Sequence, residues 1–191
     1  MKKISLGWSC CRVFLGVYLV GSIVFLQVAG AVEVAITLDD FDLSSDVGME
    51  AGKRNAQILS VFKKHKVKAA GFVTTKNLSN PVTLQAVKAW SAAGHIVGNH
   101  TENHWNYNKK TFEEFSADIL VAEKKLKVFS TFQKIFRFPY LKEGESTAKR
   151  DAMKKFLKDN SYKNGSVSVD ASDWYINMRL VDKIKKGEPV D

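Results

Sequence analysis

Apolar and polar positions along this chain switch between two periods, and the switching predicts strands and helices in turn. Val34-Ala35-Ile36-Thr37-Leu38 is a short run rich in β-branched residues that ends in acids, the pattern of a buried strand. From about Met49 to Lys66, Ile58, Leu59 and Phe62 fall at helical spacing, and Ala69 to Val73 reads as a second strand. Leu84, Val87 and Trp90 mark the next helix, stopped by Gly94, and His95 to Gly98 forms a third, short strand. Thr111 and Glu114 make a capping box ahead of the apolar stripe Phe112, Phe115, Ile119, Ala122 and Leu126. Ile135 to Phe138 predicts a fourth strand and residues near Ser146 to Leu157 a fourth helix. A turn at Tyr162-Lys163-Asn164-Gly165 then leads to a fifth strand, Ser166 to Val169. About Tyr175 to Lys186 reads as a last helix before Gly187-Glu188-Pro189. Such alternation implies an α/β fold on a largely parallel sheet, open or barrel-like.

The first 31 residues stand apart from this rhythm. Lys2, Lys3 and Arg12 precede an apolar run, Val13 to Val28, and Ala29-Gly30-Ala31 supplies the small-x-small pattern that a signal peptidase cuts. Residues 1–31 therefore read as a signal peptide, the alternative being a membrane anchor through residues 13–28. Either way residues 32–191 are expected to be exported: periplasmic, at the cell surface or secreted. Cys10 and Cys11 both lie in that leading segment, so the remainder has no disulfide framework.

Composition narrows the class further. With 45% hydrophobic and 26% charged residues and three prolines, the 191-residue chain has the makings of one core and excludes a disordered tail, a collagen-like fibre or a multi-span membrane protein. Three of the +9 net charges leave with the first 31 residues, so residues 32–191 carry +6. Most of the excess is lysine at helix ends, where cations complement the helix dipole, and residues 32–191 have only four arginines. Nucleic acid is not an expected partner.

The chemistry-bearing residues sit after strands, at Asp39-Asp40, His100 to His104, Pro139-Tyr140 and Asp170 to Trp174. In parallel α/β architectures the C-terminal strand ends share one face, so these clusters are expected to converge. His100-Thr101-Glu102-Asn103-His104 holds two of only four histidines, at a spacing that lets both imidazoles reach one metal ion. Thr101 stands where a zinc-protease helix needs Glu, so that class is excluded. One carboxylate of the Asp39-Asp40 pair can complete a metal site and the other can accept a proton. Arg137, in an apolar strand, requires a carboxylate partner. Acids beside aromatics in Asp170-Ala171-Ser172-Asp173-Trp174-Tyr175 suit sugar recognition, and Trp105 and Tyr140 are candidates for the same wall.

Thr37-Leu38-Asp39-Asp40, His100-Thr101-x-x-His104, Arg137-x-Pro139-Tyr140 and Asp170-x-x-Asp173-Trp174 together resemble motifs one to four of the polysaccharide deacetylases, which share the NodB-homology domain of carbohydrate esterase family 4. The resemblance covers nearly all of residues 32–191 and keeps the family's order. It implies a distorted (β/α) barrel and metal-dependent hydrolysis of acetyl groups on peptidoglycan, chitin-like glycans or exopolysaccharide. By the same resemblance Asp39 is the catalytic base, and Asp40, His100 and His104 bind a divalent metal, expected to be Zn2+. Arg137 orients Asp39, Asp173 tunes a late histidine, and Pro139, Tyr140 and Trp174 meet the substrate, Tyr140 through its backbone N–H.

Two departures modify that expectation. Phe41-Asp42 follows Asp40 where the family usually continues Gly-Pro, which bears on the substrate loop. The family's fifth motif, a late Leu-x-His that protonates the leaving amine, has no counterpart, since no histidine follows His104. The chain thus reads as C-terminally truncated, an incomplete barrel with an exposed strand edge. It is expected to favour O-acetyl esters over acetamides, or else to be a carbohydrate-binding remnant without turnover.

Overall fold

In the computed structural model residues 33–190 are described, and the signal-peptide or anchor reading of residues 1–31 falls outside them. Five parallel strands form one sheet in the order β1 (Thr37–Asp40), β2 (Ala70–Val73), β3 (Ile96–Asn99), β4 (Phe132–Phe136) and β5 (Lys163–Asn164). Between them run the helices α1 (Ala51–Lys64), α2 (Pro81–Ala92), α3 (Phe112–Leu126) and α4 (Thr147–Asp159), and α5 (Asp173–Lys186) follows β5. Strand order that follows chain order puts every right-handed crossover on the same side of the sheet, the winding of a (β/α) barrel rather than of a doubly wound sheet. No hydrogen bonds join β1 to β5 among the described residues, so the barrel wall is open there. Among the same residues no helix is long and apolar enough to cross a membrane.

Two apolar clusters lie between sheet and helices. Val73, Val87, Trp90, Val97 and Leu126 form one, with Phe41 and Phe62 packed edge-on to the Trp90 ring. Tyr107, Phe115, Ile119, Phe136, Met153 and Leu157 form the other under α3 and α4. The predicted capping box is present: Thr111 Oγ1 accepts from the Glu114 N–H at 3.1 Å, and Glu114 accepts from the Thr111 N–H at 2.9 Å. On the opposite, inner face of the sheet, Gly98 and Gly165 leave room for Phe72, whose ring occupies the space a Cβ would need at either position.

Three strand expectations are corrected. The first strand runs through Asp39 and Asp40 instead of ending before them, which fixes their side chains on alternate faces. The fourth begins at Phe132 and ends at Phe136, because the chain turns into a short 3-10 segment at Pro139–Leu141. The fifth lies in the stretch read as a turn, pairing Lys163 with Ile135 and Asn164 with Phe136. Gly165 explains the shift: it lies against Phe72 and donates to the Phe136 carbonyl at 2.7 Å, so the sheet captures residues 163–165. Ser166 to Val169 is not a strand, and Val169 is exposed.

Candidate active site

Three strand ends deliver the residues that meet at the top of the sheet. Strand alternation points Thr37 and Asp39 to the same inner face. There Arg137 Nη1 donates to Thr37 Oγ1 and to Asp39 Oδ1, both at 2.7 Å, while its Nε donates to the Gly165 carbonyl at 2.8 Å. The guanidinium lies 4.1 Å from the centre of the Phe72 ring, and the residue is 4% exposed. Arg137 therefore ties the ends of β1, β4 and β5 together across the inner face. The carboxylate partner that its burial demands is Asp39.

The main chain of the same arginine orients a histidine. His100 Nδ1 lies 2.8 Å from the Arg137 carbonyl oxygen. A carbonyl can only accept, so Nδ1 carries a proton, and Nε2, which faces Asp40, is the nitrogen left to donate to that carboxylate in the cation-free site or to offer a lone pair to a cation. That Nε2 lies 3.3 Å from Asp40 Oδ1, and His104 Nε2 lies 2.9 Å from the same oxygen. The donor atoms of Asp40, His100 and His104 all fall within 4.8 Å of one another. Two imidazole nitrogens and one carboxylate oxygen are a donor set that suits a divalent cation and leaves coordination positions open. Burial acts to raise the Asp40 carboxyl pKa, but the hydrogen bonds and charge of His100 and His104 outweigh it and hold the group ionised, well below the usual carboxylate range.

Backbone strain concentrates here. Of nine described non-glycine residues with positive φ, Asp40, Phe41, Thr101, His104, Tyr140 and Leu141 all border this site. Phe41, where the family usually has glycine, adopts φ 51° and turns its ring into the core against Gly71 and Trp90. Burial of that ring opposes the strain of its backbone, so the segment after Asp40 is anchored from below.

The remaining expected residues divide. Pro139 is buried and starts the 3-10 turn, and the half-exposed Tyr140 ring packs beside His104 with centroids 4.6 Å apart. Trp105 packs against the second core cluster beneath Lys110. Asp173 and Trp174 are not brought to the site. They open α5, and no hydrogen bond or ring contact among the described residues joins them to Asp39, Asp40, His100 or His104. Trp174 is 65% exposed and, among the described aromatic rings, pairs with that of Tyr175, because the strand expected to position it does not form.

Several contributors escaped the sequence reading. Thr37 and Gly165 complete the Arg137 contacts, and a small cleft of about 120 Å³ beside the triad is lined by Asp40, Asp42, Thr74, Lys76, Asn77 and His104. Asn77 Nδ2 also donates to the Asp40 carbonyl at 3.1 Å. Asp118, an acid within the apolar stripe of α3, was the legible signal among the missed residues.

Comparison with known proteins bears on the family and the fold. A peptidoglycan-N-acetylglucosamine deacetylase of Bacillus cereus is 30% identical over 143 residues, which cover 74% of this chain and 46% of that protein. The chain spans about half the length of the curated relatives it matches. The solved Bc1960 peptidoglycan N-acetylglucosamine deacetylase is similar with a TM-score of 0.59 and 27% identity, over 82% of this chain and 67% of that one. A BA3943 mutant, described as a CE4 family pseudoenzyme with restored enzymatic activity, shares the fold at TM-score 0.62 and 21% identity, over 81% of this chain and 52% of that one. The polysaccharide deacetylase family model itself matches residues 28–157, more than half of the sequence, and on that match the chain belongs to the polysaccharide deacetylase family.

Proposed function

We propose that this chain hydrolyses acetyl groups on a glycan of the peptidoglycan or chitin type, outside the cytoplasm, with Asp39 as the base. One observation carries the reading. Asp39, paired with the buried Arg137, sits one residue from Asp40, whose Oδ1 faces the Nε2 atoms of both histidines. Asp40, His100 and His104 would hold a divalent cation, and their nitrogen and oxygen donors suit zinc. When bound, such an ion supplies Lewis acidity, polarising a carbonyl and acidifying a water.

The protein's own residues supply the rest. Arg137 binds one oxygen of Asp39 and leaves the second to accept a proton from the attacking water. The cleft beside Asp40 and His104 holds about 120 Å³, room for a small acyl group rather than a whole sugar. The sugar itself would lie on the open Tyr140 ring, and the Tyr140 backbone N–H is assigned to the developing oxyanion by its place in the motif.

An amide nitrogen leaves poorly unless it is protonated, whereas an ester alkoxide leaves more readily. Among the described residues no histidine besides His100 and His104 borders the site, so O-acetyl esters are the substrates these residues are better equipped to hydrolyse. The same feature, with Asp173 and Trp174 away from the site, favours a second reading in which the chain binds acetylated glycan without turning it over.

Acetate release from O-acetylated and N-acetylated oligosaccharides, with elemental analysis of the purified protein, separates these readings. Near-stoichiometric zinc in the wild type, lost in His100→Ala, together with ester hydrolysis that Asp39→Asn abolishes, is the expected result. Glycan binding without acetate release would establish the second reading, and equal rates on esters and acetamides would overturn the leaving-group argument.

A further inference from the structure

The segment Asn99–His104 carries both histidines, and it is held in a shape its backbone resists. Thr101 (φ 67°) and His104 (φ 56°) occupy the left-handed region, at a cost of roughly 1–3 kcal/mol for each such residue. Strain of that size persists only where the surroundings over-determine it; the Thr75 and Lys76 N–H groups donate to the Thr101 and Glu102 carbonyls at 3.0 Å each, and α3 adds side-chain restraint. Asp118, 4% exposed, accepts from the Asn103 N–H at 3.0 Å and from Asn103 Nδ2 at 2.5 Å. Asn99, fully buried, accepts from the Thr101 N–H at 2.8 Å and donates to the Ile119 carbonyl at 3.0 Å and to Tyr162 Oη at 2.8 Å. Tyr162 donates in turn to Glu123 at 3.0 Å, and Lys127 and Lys134 hold that carboxylate at 2.7 and 3.0 Å. Within the loop, Thr101 Oγ1 accepts from the His104 N–H at 2.9 Å.

We propose that Asp118 and Tyr162 are positioning residues that set the cation affinity of the site. Acting through Asn103 and Asn99, they hold the loop in the strained shape that brings both Nε2 atoms to Asp40. This rests on the cation-site reading above. Neither residue is a donor to the triad, yet partners of this kind fix the direction of a ligand before the ion arrives, and removing them typically costs 10–100-fold in metal affinity.

The full chain, freed of metal, is titrated with Co2+ while visible absorption and calorimetry report the coordination and the dissociation constant, and each variant's apo melt is recorded. Asp118→Asn is nearly isosteric but can no longer accept both Asn103 donors, and it is expected to weaken Co2+ binding about tenfold or more. Tyr162→Phe keeps the ring and is expected to weaken it several-fold. Ser91→Ala is the control: its buried hydroxyl accepts from Thr131 Oγ1 at 2.9 Å, near the start of β4 and away from the loop. That variant should melt earlier and bind Co2+ as the wild type does. Wild-type affinity and spectrum in both Asp118→Asn and Tyr162→Phe would overturn the proposal. If Asp118→Asn loses its cooperative melt, Tyr162→Phe decides alone. No cobalt binding by the wild type, or unaltered binding by His100→Ala, would instead overturn the cation-site reading itself, and the proposal with it.

Discussion

The strand ends of β1, β3 and β4 and the segment after β5 carry equally suggestive residues, yet only the first three build a site. Asp39, Asp40, His100, His104 and Arg137 are joined by contacts of 2.7 to 3.3 Å, with His100 and Arg137 buried. Asp173 and Trp174 stand exposed at the start of α5, a helix with no buried residue. The difference lies in what precedes each cluster. β1 and β3 are four residues long and β4 five, each paired with a neighbour of similar length, whereas β5 is two residues long and leaves the eight residues before α5 without a strand. A motif at a strand end is positioned only as well as its strand.

That contrast breaks most visibly at the core. Ile119 on α3 is fully buried while Ile176 on α5 is 63% exposed, so Ile119→Ala should cost about 4 kcal/mol of unfolding free energy and Ile176→Ala about 0.5 kcal/mol or less. Urea unfolding of both variants measures this, and equal costs would show that α5 is as well packed as α3. Next in size is Arg137→Ala, which strands Asp39 without its partner and is expected to cost about 3 kcal/mol, against little change for Trp174→Ala in the same assay.

Function sharpens the comparison further. Asp39→Asn keeps the size of the side chain and removes its basicity, so acetyl hydrolysis should fall at least ~100-fold, and the melting temperature should fall too because the buried Arg137 loses its counter-charge. Loss of comparable size in Trp174→Ala would mean that α5 reaches the substrate after all.

The smallest effect expected is in pH dependence. Burial acts to raise the Glu123 carboxyl, but Lys127, Lys134 and Tyr162 outweigh it and hold the pKa below its ordinary value. A folded pKa below the unfolded one contributes stability above the ordinary carboxylate range, lost as pH falls through the folded value. Glu123→Gln should therefore flatten the acid limb of the stability curve, read as urea midpoints from neutral to acid pH. Asp182 on α5 is also lowered, by its hydrogen bond to Lys186, but solvent screens that exposed pair and Asp182→Asn should leave the limb unchanged.

Much of the architecture was legible because it is local. The 3.6-residue stripe of α3, its capping box and the β-branched runs are set by neighbours a few residues apart, and each appears where it was expected to within a few residues. β5 was not legible. Lys163 and Asn164 have no strand pattern of their own and are captured by a finished β4 edge, with Gly165 admitted against Phe72 because it lacks a side chain. Phe41 behaves likewise: its identity marked a departure from the family pattern, but only the Gly71 and Trp90 surfaces beneath it show the ring turned inward.

By itself the sequence determined the order of strands and helices, the family, and which acids and histidines are chemically notable, since these depend on residue type and short spacing. The family resemblance implied the Arg137–Asp39 pair across 98 positions, but tertiary structure alone decided that Thr37 and Gly165 share that guanidinium, that Asp118 and Tyr162 brace the histidine loop, and that Asp173 and Trp174 stay apart. A buried charge dictates that it must have a partner but not which one. That choice is made when distant strand ends are packed onto one face and the desolvated guanidinium meets the carboxylate the sheet has placed there.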